Sequence, residues 1–377
     1  MSKKLHILFL CSWYPSKVLP TNGDFIQRHA EAVSLLHTVS VLHIVSNKNV
    51  LKSNIEEHFS TNLKTYIGYV KYTKNPLLKL IRFFKMYTSI LKKVGFYDVI
   101  HLHVLFPFGI FALHQKYFKN KSFIISEHWT GYLLPQAKNI SFVEKQLSKI
   151  ISKKASFISP VSSHLKFSMQ QLGLTGNYFP VPNVVDTALF KPVSKKEDQF
   201  TIVHVSSLKN DHKNIFGMLK AAKILESKLG EFTWNFIGGN GGEFKNEIKN
   251  LEFSSANIHF IDHVSQEELA PFIQKAHVFV LFSNYENLPC VILESFSCGT
   301  PVISSDIGGI SEYFPESFGS LVSANNIDEL VEKITETHNK PINKSEEMHT
   351  YVIENFSKET IAKLLSELYT KTLNRNH

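Results

Sequence analysis

The chain has 377 residues, enough for two domains, and its 43% hydrophobic and 20% charged residues form an ordinary globular balance that excludes a disordered protein. Net charge is +8, yet residues 1–180 hold 23 Lys/Arg against 7 Asp/Glu, or +16, while residues 181–377 hold 18 against 26, or −8. A half so basic prefers anionic partners such as phospholipid head groups or acidic glycans, and no nucleic-acid-binding motif accompanies it.

Short apolar runs alternate with helical patterns along the first half. "KLHILFLC" (4–11), "TVSVLHIV" (38–45), "DVIHLHVL" (98–105) and "SFIISEH" (122–128) predict strands covered on both faces, with helices over 23–37 and 139–155. Lys3 and Lys4 precede an apolar run too short for a secretory signal, with no cleavage site after it. No stretch reaches the length of a membrane span, so a soluble or at most peripheral protein is expected. Cys11, Cys290 and Cys298 lack metal-ligand spacing, and their odd number without a signal peptide points to a reducing cytoplasm.

"PLLKLIRFFKMYTSILKK" (76–93) has helical periodicity, with Leu77, Leu80, Ile81, Phe84, Thr88 and Leu91 on one face and Lys79, Arg82 and Lys93 opposite. Two readings are open: a helix packed on the core, slightly favoured, or one lying on an anionic membrane surface. His101 and His103 alternate along one strand, which suits core packing better than a metal pair because no third ligand is evident.

After a Pro-containing, charged segment at 182–200, which reads as a linker, the alternation restarts. Strands are expected at 200–207, 232–239, 257–263, 276–283 and 300–306, and a helix at 214–229. This order predicts two doubly wound α/β domains in tandem, 1–190 and 191–356, with a helix from 357 to 377 packing back on the first. Open parallel sheets bind ligands at the C-terminal ends of their strands, so two of them facing one another would make a cleft.

One stretch concentrates the chemistry: "SNYENLPCVILESFSCGTP" (283–301) sets Glu286 and Glu294 eight residues apart. Pro289 opens a helix between them and Gly299 closes it. Free N–H groups near Leu288 to Val291 make an anion site, and carboxylates accept hydrogen bonds from ribose or sugar hydroxyls. On spacing alone, two glutamates eight apart arise often by chance, and a surface residue is the favoured reading of either.

The stretch resembles the Glu-x7-Glu signature of family-4 glycosyltransferases, retaining enzymes of the GT-B fold, and the resemblance runs along nearly the whole chain. "WYPSKVLPTNGDFIQRHAEA" (13–32) looks like that family's N-terminal glycine loop, and "DVIHLH" and "SEH" look like strand ends of its acceptor domain. "VPNVVDTALFKP" looks like its interdomain segment, "GGNGG" (238–242) its second glycine loop, and "SFSCGTPVISSDIGGISEYF" its Gly-Gly-x-x-Glu run.

The resemblance implies that Glu286 faces the donor sugar, that Glu294 binds the ribose hydroxyls, and that Lys213 holds the pyrophosphate. His128 would lie close to the donor sugar, and Gly23, Gly238 and Gly239 would let the ligand approach the main chain. Asn287, Leu288 and Pro289 would present the helix tip to the diphosphate. Ser207 stands where the family often carries an arginine, with Lys209 and His212 as candidate replacements out of register. Bland readings accompany these: Lys213 as a solvated loop lysine, His128 as a capped strand end stacked on Trp129, and Asn183 and Asp186 as organisers of the interdomain turn.

No Asp-x-Asp pair occurs, so no metal and no cofactor is expected. The implied activity is metal-independent, retaining transfer of a hexosyl group from a nucleotide sugar to a glycan or lipid-linked acceptor, in cell-surface polysaccharide or glycolipid synthesis. The implied location is cytoplasmic, peripheral at the inner face of the membrane. The rivals are an epimerase or phosphorylase on the same fold, or a non-catalytic nucleotide- or glycan-binding protein. A dinucleotide oxidoreductase is disfavoured because no Gly-x-Gly-x-x-Gly follows either first strand.

Overall fold

The computed structural model describes residues 3–194, 196–239 and 241–375. Their contacts divide the chain into two units, 1–184 with 358–377, and 185–357.

The first unit runs β1 (His6–Cys11), α1 (Asp24–Ser34), β2 (Thr38–Asn47), β3 (Asn54–Phe59), β4 (Leu63–Lys71), α2 (Pro76–Val94), β5 (Val99–His103), α3 (Gly109–Lys119), β6 (Phe123–Glu127), α4 (Phe142–Lys154), β7 (Ile158–Pro160) and α5 (Ser163–Gln171). Its sheet has the order β3-β4-β2-β1-β5-β6-β7. Every neighbouring pair is parallel except β3 and β4. Strand β1, buried throughout after His6, sits between β2 and β5, so the strand order reverses there.

The second unit runs β8 (Thr201–Val205), α6 (Asn210–Lys213), α7 (Ile215–Leu229), β9 (Thr233–Ile237), α8 (Lys245–Leu251), β10 (Asn257–Ile261), α9 (Gln266–Lys275), β11 (Val278–Leu281), α10 (Cys290–Ser297), β12 (Val302–Ser305), β13 (Gly319–Val322), α11 (Ile327–Asn339) and α12 (Ser345–Phe356). Its all-parallel sheet has the order β10-β9-β8-β11-β12-β13 and reverses between β8 and β11. Both units are thus doubly wound Rossmann-like folds.

The last helix, α13 (Lys358–Asn374), belongs to the first unit and packs against α1. Tyr369 lies in the same core cluster as Phe9 and Val33, and its hydroxyl meets His101 Nδ1 at 2.7 Å.

Local signals explain most element ends. Asn75 caps α2 by accepting from Leu78 N, Pro76 opens it and Gly95 closes it at φ 72°. Ser265 and Glu268 form a reciprocal capping box on α9. The expected helix over 139–155 begins only at Phe142, because Ser141 caps it there.

Three expectations are corrected. The division falls at Val184–Val185, not after residue 190, because 185–190 are fastened to the second unit: Val185 N donates to Phe356 O, and the carbonyl of buried Phe190 accepts from Ser297 Oγ. Of the expected linker at 182–200, residues 182–185 and 190 are buried and Lys196 Nζ is tied to Gln274 O and Thr300 Oγ1, while Lys191, Val193, Ser194, Glu197 and Asp198 are exposed. Helix α2 packs through Met86, Tyr87 and Ile90, while Leu77, Leu80, Ile81 and Phe84, favoured as its core face, are exposed.

Removing the Tyr369 hydroxyl would leave His101 Nδ1 buried without this partner, since its Nε2 is already engaged with Ser126 Oγ. Tyr369→Phe should cost the first unit about 1–3 kcal/mol in urea unfolding. An unchanged midpoint would mean the contact carries no weight.

Candidate functional site

The residues singled out in the second unit converge on the reversal point of its sheet. Segment 206–213, which ends in α6, leaves β8 and loop 282–289 leaves β11, the two strands flanking that point. Such reversal points open a crevice at the strand ends.

Glu286, in the second loop, is 5% exposed and sits in a polar nest. Its Oε1 accepts from Lys213 Nζ in a short ion pair and from Ser283 Oγ at 2.8 Å, with His212 Nε2 at 3.8 Å. Burial by itself would raise the carboxyl's pKa, but the charges of Lys213 and His212 and the two hydrogen bonds outweigh it and hold the group below its ordinary value. Lys213 is thus not a solvated loop lysine, and Glu286 is not a surface residue. An ammonium has three donors, so Lys213 can keep Glu286 and still reach a second anion.

Helix α10 starts directly after this nest, with Pro289 at its N-cap and no side-chain cap. The positive end of the helix therefore lies beside Glu286 and Lys213, where it suits an anion. Asn287 and Leu288 are buried beside it, and Glu294, one turn in, is 1% exposed. Both glutamates of the pair are interior residues. Gly308 adopts φ +62°, and a Cβ there would lie 2.0 Å from Glu286 O, so only glycine lets loop 306–310 close over the Glu286 backbone. Gly309 N completes that contact by donating to Asn287 O at 3.0 Å.

The first loop is equally constrained. Gly238, at φ +117°, and Gly239 abut the backbone of Ser206 and Ser207, where a Cβ would meet the carbonyl oxygens at 2.4 and 2.7 Å. Their smallness serves loop packing first. Asn240 of the same glycine-rich run lies outside the described residues. Leu208 holds φ +54°, costly for a branched side chain, and is kept there by burial and by its N–H donating to Ser206 Oγ.

Ser207 itself is exposed and brings no positive charge. His212 does not replace the missing arginine: its ring stacks on Tyr285 at 4.1 Å and 6°, and Nε2 donates to Tyr285 O at 2.7 Å. Burial and the neighbouring Lys213 charge lower its pKa, and Glu286 only partly offsets them. Lys209 is exposed, which leaves Lys213 as the cation built into the nest.

Gly23 and His128 belong to the first unit, at the ends of β1 and β6. Gly23, N-cap of α1 at φ 81°, lies so close to the Trp13–Tyr14 backbone that a Cβ would be 2.8 Å from Trp13 C. Helix α1 carries Phe25 and His29 to the His128 ring, at centroid distances of 4.6 and 5.3 Å. His128 Nδ1 lies 3.2 Å from Asn183 Oδ1, so Asn183, expected only to shape a turn, orients a ring. Asp186 does organise its turn, accepting from Ala188 and Leu189 N–H.

His101 and His103 are core residues, and burial first of all drives the pKa values of both, and of His29 and His128, downward, so these imidazoles are neutral at pH 7. Glu127, missed in the sequence, is fully buried and accepts from the N–H groups of Leu105, His128 and Trp129 at 2.9 Å each. Burial raises its pKa to about 7 against the lowering effect of those three bonds. It clamps the backbone that bears His128.

The Lys213–Glu286 pair sets a test of sign. Because the folded carboxyl's pKa is depressed, the stabilisation it brings is present above the unfolded value of about 4.3 and is lost as pH falls through the folded value. Lys213→Met strands a buried carboxylate, at a cost of about 3–5 kcal/mol at pH 7. Acidification toward pH 4 should then stabilise the variant while it begins to destabilise the parent. Urea midpoints between pH 4 and 8 read this directly, and parallel profiles would contradict it.

Comparisons with known proteins bear on the family and the fold. Residues 185–359 match the family model for glycosyl transferases group 1. An uncharacterized glycosyltransferase of Methanocaldococcus jannaschii is 25% identical over 69% of this chain and 70% of its own length. An N,N'-diacetylbacillosaminyl-diphospho-undecaprenol alpha-1,3-N-acetylgalactosaminyltransferase of Campylobacter jejuni is 28% identical over 69% and 72%. A phosphatidylinositol N-acetylglucosaminyltransferase component of Arabidopsis thaliana is 27% identical over 52% of this chain, and the match spans 44% of that protein's length. Among solved structures, sucrose-phosphate synthase of Thermosynechococcus elongatus superposes with a TM-score of 0.81 at 18% identity, over 98% of this chain and all of that one. Anabaena HepE in complex with UDP-glucose gives 0.71 at 14% identity, over 98% and 100%. The chain has the GT-B fold, and its residues 185–359 match the glycosyl transferases group 1 family.

Proposed function

We propose that this chain is a family-4 retaining glycosyltransferase that moves a hexosyl group from a nucleoside-diphosphate sugar to a hydroxyl of a glycan or lipid-linked acceptor, in cell-surface polysaccharide or glycolipid synthesis. The observation that carries the reading is the buried Glu286–Lys213 pair, set beside the start of α10 at the reversal point of the second sheet. In it, Lys213 and the first N–H groups of α10 hold the diphosphate and stabilise the charge that grows on it as the sugar departs, commonly the largest catalytic contribution. Glu286 orients sugar hydroxyls, and Glu294 accepts from the ribose. The sugar passes through an oxocarbenium-like state attacked on the face the leaving group vacates, and a departing phosphate oxygen takes the acceptor's proton. No protein nucleophile is needed, and Lys213 supplies charge that other transferases draw from a metal ion.

The lipid-linked acceptor is supported by two relatives whose names carry one, diphospho-undecaprenol and phosphatidylinositol. UDP-sugars head the donor panel, because Anabaena HepE was solved with UDP and with UDP-glucose. Exposed Ser207, without positive charge, favours a second reading as a nucleotide- or glycan-binding protein without turnover.

Thermal shift against a panel of nucleotide sugars identifies the donor, since a ligand at 100 times its Kd stabilises by about 2.7 kcal/mol. With that donor, Glu294→Ala should weaken nucleotide binding, while Glu286→Ala should lower turnover by about 100-fold with binding largely kept. Full activity in both variants would remove the site assignment, and tight binding without transfer to any acceptor would favour the second reading. A chelator should leave the transfer rate unchanged; restoration by added divalent cation after chelation would contradict the role given to Lys213.

A further inference from the structure

The side chains of helix α2 that are buried in its own unit are Met86, Tyr87 and Ile90, all in its second half. Its N-terminal half carries a stripe one helical turn apart, with Leu77 66%, Leu80 53%, Ile81 43% and Phe84 40% exposed. The stripe continues onto α3: the Phe84 ring lies 5.3 Å from His114, and His114 lies 5.0 Å from Phe118. Phe118 is 74% exposed and its neighbour Tyr117, under the ammonium of Lys154 at 5.8 Å, 61%. Isolated exposed apolar residues need no explanation, but a continuous run of aliphatic and aromatic side chains across two helices does.

Charge identifies what covers it. Helices α2 and α3 hold seven Lys/Arg and no Asp or Glu. Lys93 is engaged by Glu57, and Arg82 by the carbonyls of Lys71 and Tyr72. Lys85, Lys92, Lys116 and Lys119 pair with no carboxylate among the described residues. By helical spacing Lys85 and Lys92 border the apolar stripe. A second copy of the chain, docked through the same face, would set these cations against themselves. An acidic surface that also accepts apolar side chains satisfies both features at once.

We propose that the α2–α3 face of the first unit is a docking surface for an anionic lipid bilayer, with Leu77, Leu80, Ile81, Phe84 and Phe118 entering the head-group boundary and the lysines resting on lipid phosphates. The two contributions respond differently to salt, because screening shortens from about 10 Å at 0.1 M to about 3 Å at 1 M and weakens only the ionic one. This inference concerns a surface of the first unit and does not depend on the donor site assigned to the second.

Flotation of the full chain with phosphatidylcholine vesicles, with and without about 30% phosphatidylglycerol, tests it. The chain should float with the anionic vesicles at about 50 mM salt, stay behind with the neutral ones, and lose at least tenfold in bound fraction at about 0.5 M salt. Leu80→Glu/Phe84→Glu should lose at least tenfold at low salt, and so should Lys85→Glu/Lys92→Glu, while Ile353→Glu, an exposed apolar position on the second unit, should not. All variants should keep the parent's thermal shift with nucleotide, which separates the two claims: failure of flotation with that shift intact overturns only the surface, and the reverse only the donor site. No flotation by the parent at low salt would overturn the proposal. So would a dimer that Leu80→Glu/Phe84→Glu dissolves in a chain that does not float.

Discussion

The second unit is organised around one interaction, the ion pair between Lys213 and Glu286. Its value is positional. A buried pair recovers little more than the desolvation it costs, so stability does not explain it. It joins the segment after β8 to the loop after β11 across the reversal point of the sheet, beside the backbone hydrogen bond from Asn284 N to His212 O at 2.8 Å. Ser283 and the His212–Tyr285 stack fix its two ends, and Gly308 lets a third loop close on the Glu286 backbone. Conformational cost gathers in the segment that leads to Lys213: Leu208 holds a positive φ there, and Gly238 and Gly239 abut the backbone of Ser206 and Ser207. Strain of this kind persists only where surrounding contacts over-determine it.

A different device holds the first unit's strand ends. Glu127 ties Leu105, His128 and Trp129 by their backbone N–H groups, and the neutral imidazoles of His29 and His103 pack on the His128 ring. Where the second unit buries a charged pair, the first buries a carboxyl poised near neutrality beside rings that stay unprotonated.

What was legible in the sequence follows from the physics of each signal. Central parallel strands are buried on both faces, so β1, β2, β5, β6 and β8 stood out as apolar runs. Strand β3, "NIEEHF", did not, because it is an antiparallel edge strand whose charges keep that edge from pairing further, and its partner β4 was missed with it. The glutamate pair drew notice through its spacing and the Pro and Gly around it, but only the resemblance set it above two surface residues. Lys213 came only from resemblance, for nothing in "KNDHKN" shows which lysine turns inward. The clamp at Glu127 and the part of Asn183 had no local signal, since both act on residues brought close by folding. Periodicity found the apolar face of α2 and misjudged its surroundings, because a stripe of leucines reads alike whether it meets a core or water.

A crystal structure of the chain with a nucleoside diphosphate tests the central claim most directly. It should place a phosphate oxygen within hydrogen-bonding distance of Lys213 Nζ and of the first N–H groups of α10, with the ribose on Glu294. A diphosphate bound elsewhere, with Lys213 and α10 making no contact to it, would contradict the account.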